Sequence, residues 1–387
     1  MSKWEKVKLR DVCEINIGKT PSRDNVLFWN NGIYKWLSIS DMQDKYLIDS
    51  KEKISMEAVG KCNMKLIPIN TVVMSFKLSV GKVGILSEPM YSNEAIANFP
   101  ILNCEKLHAN FLYYALQSLK FENMDRAAKG LTLNKAKLNQ LKIPLPPLEV
   151  QQKIAQTLDS AAALIALRKQ QLAELDNLIK AAFYELFGDP VTNEKGWDIE
   201  RLGDKLSIVS GFAFKSSGFQ KSGVPVIKIG NINLGTFTDK EMCFWKYDKK
   251  LERVLLHPRD IVISLTGTVG KNDYANVCIL PEKYPRYYLN QRNAKLDLSA
   301  ELECLYLLYL LKDQKIKNQL TGLSRGIRQA NISNSDISNL LVPLPPLDLQ
   351  NQFAEIVTKI EEQKALVQTA IDESQYLFDS LMNEYFN

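Results

Sequence analysis

Side chains able to reach phosphate oxygens or base edges gather in three pairs of short stretches along this 387-residue chain. The first pair is basic and free of acids. Arg126 to Leu148 carries five cations (Arg126, Lys129, Lys135, Lys137, Lys142), and Lys315 to Ser335 carries four (Lys315, Lys317, Arg325, Arg328). Within them, Lys129-Gly-Leu-Thr-Leu-Asn134 and Ser324-Arg-Gly-Ile-Arg-Gln329 read as exposed loops. They single out Lys129, Thr132, Asn134, Arg325, Arg328 and Gln329. Cations, amides and hydroxyls are the groups that grip phosphates and read bases. The second pair is Lys77–Gly84 and Thr266–Lys271, where small hydroxyls and glycines would let backbone approach an anion. Its candidates are Lys77, Ser79, Lys82, Thr266, Thr268 and Lys271. The third pair, Gly18-Lys-Thr-Pro-Ser-Arg23 and Gly211-Phe-Ala-Phe-Lys-Ser216, adds Lys19, Thr20, Arg23, Lys215 and Ser216, and Arg292 follows Asn290-Gln291. The competing readings are a solvated basic face for the first pair and plain tight turns for the second.

Catalytic chemistry is poorly supplied. Neither glycine loop has the G-x-x-x-x-G-K-[ST] spacing of a nucleotide-binding P-loop, and no G-x-G-x-x-G fingerprint occurs. An enzyme methylating a base amino group needs Asn/Asp-Pro-Pro-aromatic to hold and stack a flipped base. Both double prolines here read Leu-Pro-Pro-Leu (Leu145 to Leu148, Leu344 to Leu347). Two histidines (His108, His257) and six scattered cysteines without a C-x-x-C pair argue against zinc and for reduced thiols in the cytoplasm. The net charge of +5 permits nucleic-acid binding without establishing it. No apolar run reaches the ~20 residues of a membrane span, and Met-Ser-Lys-Trp-Glu-Lys-Val carries no signal-peptide core.

These stretches are paired because the chain is one unit written twice. Ile-Pro-Leu-Pro-Pro-Leu-Glu-Val-Gln-Gln from Ile143 returns as Val-Pro-Leu-Pro-Pro-Leu-Asp-Leu-Gln-Asn from Val342. Pro144 and Pro343, like Gln151 and Gln350, stand 199 residues apart. Each proline cluster suits a helix entry, and Glu149 and Asp348 follow in the first turn, facing the positive end of the helix dipole.

A 4-3 apolar pattern follows each entry. The first seam is Ile154, Leu158, Ala161, Ile165, Arg168, Leu172, Leu175, Ile179, Ala182 and Leu186. The second is Phe353, Val357, Ile360, Lys364, Val367, Ile371, Ser374, Phe378, Leu381 and Tyr385. More than four heptads of such spacing predict long helices packed along a seam, with the polar breaks at Arg168, Lys364 and Ser374 setting register. A helix of some 37 residues spans roughly 55 Å, more than one small domain covers, so a mutual pair is favoured over two separate amphipathic helices.

The segments between the helices share a grammar with different letters. Lys3-Trp4 with Leu9 is echoed by Gly196-Trp197 with Leu202, Tyr34–Leu37 by Val226–Ile229, and Asn70–Ser75 by Asp260–Ser264. Asn93-Glu94 is echoed by Asn290-Gln291, and the helical stretch Asn110–Leu119 by Leu302–Leu311. The division is residues 1–142, a helical region 143–190, residues 191–341 and a final helical region 342–387.

This architecture, with Ile-Pro-Leu-Pro-Pro-Leu-Glu-x-Gln-Gln heading a long helix twice, resembles the specificity subunit of type I restriction–modification systems over the full length. The resemblance implies an α+β chain. Two homologous mixed α/β target-recognition domains are separated by two long antiparallel coiled-coil-like helices, related by a pseudo-two-fold. It implies a non-catalytic subunit that reads a bipartite, asymmetric site on double-stranded DNA, the helices setting the spacer. Two methyltransferase subunits are expected to dock on exposed apolar stripes of the helices, and restriction subunits to join them. S-adenosylmethionine, ATP and Mg²⁺ would belong to those partners. The competing function is a coiled-coil scaffold that does not bind specific DNA.

Overall fold

The computed structural model describes residues 4–121, 125–127, 130–232, 235–268, 271, 273–322 and 329–387, with backbone alone at 78, 125–127, 130–132 and 329. It divides into two compact units, Met1–Lys169 with Thr369–Asn387, and Gln170–Gln368. These bounds differ from the four sequence segments, because the helices form no separate layer. Each 40-residue helix, Leu148–Phe187 (the central helix) and Leu347–Phe386 (the distal helix), gives one half to each unit.

In the first unit, Lys6–Lys8 pairs antiparallel with Lys142–Pro144, Val7 opposite Ile143. The strand entering the domain is thus closed by the strand leaving for the central helix, and Pro144, which has no N–H to give, sits in a two-stranded ribbon. The main sheet has five strands in the order Asn16–Ile17, Ile96–Phe99, Val72–Ser75, Val83–Leu86, Tyr46–Leu47. A second sheet sets Tyr34–Leu37 between Glu52–Ile54 and Tyr91–Ser92. Val72–Ser75, Val83–Leu86 and Ile96–Phe99 are buried at every position, Ser75 and Asn98 included. Helix Ala109–Gln117 packs on this sheet, and the core gathers Phe99, Phe111, Leu112 and Tyr114 with Ile154 and Leu158 of the central helix and Phe386 of the distal one.

The second unit repeats the plan. Asp198–Arg201 pairs with Leu341–Leu344, Ile199 opposite Pro343. One sheet orders Leu206–Ser210, Asn293–Leu298, Ile261–Ser264, Val277–Ile279; another orders Cys243–Trp245, Val224–Ile227, Tyr287–Leu289, Leu255–Leu256. Tyr306 and Leu310 from helix Cys304–Lys312 meet Phe183 and Phe187 of the central helix and Phe353, Val357 and Ile360 of the distal helix.

Within each unit the two helices run antiparallel, early residues of one beside late residues of the other. In the first, Arg168 Nη1 donates to Ala370 O and Ser374 Oγ. In the second, Lys364 Nζ lies 2.6 Å from Asp176 and 2.8 Å from Glu361. The seam residues named from the sequence (Ile154, Leu158, Ile165, Leu172, Leu175, Ile179, Phe353, Val357, Ile360, Val367, Ile371, Phe378, Leu381) are all buried or half-buried. The heptad pattern missed Phe183, Phe187 and Phe386, which are buried because each helix end turns a second face into a domain core.

Candidate nucleic-acid interface

The first and second sets of candidate loops, 45 or more residues apart in sequence, become neighbouring strands. In the first unit Lys77–Leu78 pairs with Gly130–Thr132, which pairs with Asp125–Ala127, and Thr132 stands opposite Lys77. In the second, Thr266–Thr268 pairs with Gln329–Asn331, Thr268 opposite Gln329. The third set is drawn in by backbone contacts. Gly18 N–H donates to Ile96 O and Lys19 N–H to Ser92 O, as Gly211 donates to Asn293 O and Phe212 to Leu289 O. Glycine is required there: a Cβ on Gly18 would lie 2.2 Å from Asn93 O, and one on Gly211 2.1 Å from Asn290 O.

The turns beside these strands are closed by one buried serine in each unit. Ser75 Oγ donates to Ser79 O and accepts from Lys82 N–H, while Ser264 Oγ accepts from Asn276 N–H. In the longer second turn, Thr268 gives both its N–H and its hydroxyl to Asp273, each at 2.7 Å. The Thr268 N–H holds the Asp273 carboxyl below its usual pKa. Backbone N–H groups of Lys82 and Thr268 are therefore occupied. Lys77 is half-buried, and Ser79 and Lys271 are exposed.

The remaining candidates fall into different environments. Arg23 is bidentate with Glu52 and lies 3.8 Å from the Trp29 ring centroid; its hydrogen bond lowers the Glu52 pKa. Lys19 Nζ donates to Cys62 O and Asn63 O at 3.0 Å each. Lys82 Nζ lies 3.4 Å from Ile39 O. Asn134 caps helix Lys135–Gln140 by accepting from Lys137 N–H, and Thr266 is buried. Thr20, Lys215, Ser216 and Arg292 are exposed. Lys129, Arg325 and Arg328 lie outside the described residues, and Gln329 and Thr132 are described by backbone alone.

Two cations of the second basic stretch are structural. Lys315 pairs with Asp189, and Lys317 is buried with Asn276 Oδ1 2.6 Å from its Nζ, burial lowering its pKa. Conversely, the fold adds residues that were not singled out. Lys135 joins Lys19 in a cleft of about 470 Å³ in the first unit. Lys228 and Lys240 join Phe214 and Arg292 in one of about 590 Å³ in the second. Lys135 belongs to the acid-free run and could have been found there; Lys228 follows the strand that pairs in parallel with Tyr287–Leu289, Lys240 accepts from Asn231 Nδ2 through its carbonyl at 3.4 Å, and no local pattern announces either. Among the described residues, no group of three or more His, Cys, Asp or Glu is placed to hold a metal, and no helix is long and apolar enough to cross a membrane.

Comparison with known proteins agrees with this duplicated plan. The type I restriction modification DNA specificity domain matches twice, at residues 1–177 and 194–374. The MjaIX specificity subunit of Methanocaldococcus jannaschii is 25% identical, over 93% of this chain and 87% of that protein. The MjaVIII subunit of the same organism is 28% identical, over 92% and 86%. In fold, the chain resembles the S subunit from M. genitalium (TM-score 0.58, 17% identity, 100% of this chain and 96% of that one). It also resembles a chain solved in work on complex assembly and conformational transition of the type I R-M system (TM-score 0.62, 18% identity, 99% and 97%). With its specificity domain present twice over nearly the whole length, this chain belongs to the type I restriction–modification specificity subunit family.

Proposed function

We propose that this chain reads a bipartite, asymmetric site on double-stranded DNA, each domain taking one half-site, and that it performs no catalysis itself. The observation that carries this reading is the convergence, in both units, of loops far apart in sequence onto one small sheet beside the early glycine loop. A solvated basic face would need no such convergence. The equivalent loops differ in length and letters, since the turn closed by Ser75 ends at Lys82 and that closed by Ser264 ends at Asn276, so the half-sites should differ. The long helices then act as the ruler that sets the spacer.

The helices are also the proposed docking surface for two methyltransferase subunits. Leu167 and Leu366, 199 residues apart, are 63% and 72% exposed; Leu178 and Leu377, equally spaced, are 52% and 55% exposed. Large aliphatic side chains left in water at equivalent places of both copies suit two copies of one partner. Restriction subunits would join that assembly in the cytoplasm. S-adenosylmethionine, ATP and Mg²⁺ would be bound by those partners rather than by this chain.

The test is to map methylated adenines in DNA from cells carrying this chain with its cognate methyltransferase subunit. A split motif with unlike halves, one modified adenine in each and on opposite strands, is expected. A palindromic motif would mean that the two domains read alike. Methylation without any motif would leave a scaffold that does not choose DNA sequence.

A further inference from the structure

Arg292 stands where the second unit's candidate loops meet. Its carbonyl accepts from Leu265 N–H at 2.9 Å, the residue that leads into Thr266–Thr268. The preceding residue, Gln291, donates to Phe212 O at 2.9 Å, in the loop that goes on to Lys215. The following residue, Asn293, is fully buried, with its N–H on Asn290 O at 2.9 Å and its Nδ2 on Ile227 O at 2.8 Å. The backbone of Arg292 is thus pinned on both sides. Its side chain, by contrast, is exposed and makes no ion pair or hydrogen bond among the described residues, and it lines the cleft beside Phe214 and Asn290.

The first unit builds the same frame around a different residue. Phe76 N–H donates to Ala95 O at 2.9 Å, and Ile96 N–H to Asn93 O at 3.2 Å, so Ala95 occupies the Arg292 position, 197 residues earlier. Ala95 is buried. The two heads therefore differ at the point where their loops converge: one offers a guanidinium, the other a covered methyl.

We infer that Arg292 is a specificity-determining residue that selects a guanine in the second half-site, and that the first domain has no charged reader at the corresponding place. This rests on the DNA reading proposed above. A guanidinium has the planar, two-donor face that matches guanine O6 and N7 in the major groove, which no other base presents as a pair of acceptors. A pinned backbone under a free side chain is what base reading requires, because a shift of an ångström would lose the second hydrogen bond. Phosphate contacts need no such fixing and fall to the exposed cations of the surrounding loops, Lys215 and Lys271.

The experiment compares methylated motifs made by wild type, Arg292→Ala and Arg292→Lys chains assembled with the cognate methyltransferase subunit. With Arg292→Ala, one guanine position in one half of the motif should become degenerate, its preference over other bases falling about 5- to 150-fold. The other half should stay unchanged. Arg292→Lys should not restore the preference, since an ammonium cannot make the bidentate pair. Two results would overturn the inference while leaving the bipartite wild-type motif intact. One is an unaltered motif in the alanine variant. The other is uniformly weaker methylation with a salt slope reduced by about one phosphate contact. A wild type with no split motif would instead remove the reading of function on which the inference stands.

Discussion

Gln151 and Gln350, 199 residues apart, make the same three hydrogen bonds in the two units. Gln151 Oε1 accepts from His108 N–H at 2.9 Å, and its Nε2 donates to Lys106 O and Pro146 O. Gln350 Oε1 accepts from Glu303 N–H at 2.8 Å, and its Nε2 donates to Glu301 O and Pro345 O. Both side chains are 0% exposed. The glutamine of the repeated motif thus ties the proline turn at each helix entry to the loop before the domain helix, and an amide alone supplies both an acceptor and two donors there.

Replacing either glutamine by alanine should cost about 2–4 kcal/mol, because a buried N–H and two carbonyls lose their partner. Gln151→Glu should be no better, since a carboxylate cannot donate to Lys106 O or Pro146 O. Denaturant unfolding of the purified chain reads this directly. A glutamate variant as stable as wild type would show that the amide donors do not matter.

The polar seam gives a second prediction. Arg168 and Ser374 meet in the first unit, while their repeat equivalents, Val367 and Leu175, are apolar. Ser374→Leu should destabilise by about 1–3 kcal/mol, leaving a half-buried guanidinium short of an acceptor. Adding Arg168→Val should recover most of that loss, because the pair then matches the apolar solution of the other repeat. A double-mutant cycle measures the coupling, and additive losses would sink the idea.

Docking on the helices is testable at the exposed leucines. Leu167→Asp and Leu366→Asp should each change stability by less than about 0.5 kcal/mol, as surface substitutions do. Each should nonetheless weaken capture of the methyltransferase subunit, the two together more than either alone. Native mass spectrometry counts the bound copies. Undiminished assembly in the double variant would place the docking surface elsewhere.

His108 supplies a pH dependence. Burial, and then the nearby Lys45, lower its pKa below the usual imidazole value, and its buried Nδ1 has no hydrogen-bond partner among the described residues. A histidine held neutral in the fold is protonated more readily when unfolded. Its contribution is therefore fully present above the unfolded value near 6.5 and is lost as pH falls toward the folded one. Wild type should lose more stability than His108→Asn between pH 7 and pH 5.5. Equal losses in both chains would assign the acid sensitivity to other groups.

The sequence alone determined the duplication, the two helix entries and the seam, because these rest on local rules. Proline fixes where a helix starts, and a 4-3 apolar spacing persists whatever the helix packs on. Loops whose donors suit phosphates and base edges were also visible in the sequence as letters, in acid-free basic runs and glycine turns. What it left undecided was which of those donors are free. Arg23 is held by Glu52, Thr268 by Asp273, and Lys317 is buried with Asn276, because each meets a partner supplied by the fold. Arg292 was one cation among many until Leu265, Phe212 and Asn293 pinned the backbone around it. Likewise Phe183, Phe187 and Phe386 fell off the heptad because each helix end serves two surfaces, its partner helix and a domain core. Local spacing encodes one face of a helix. Only the tertiary structure decides how many faces are buried, and which polar groups are left to meet another molecule.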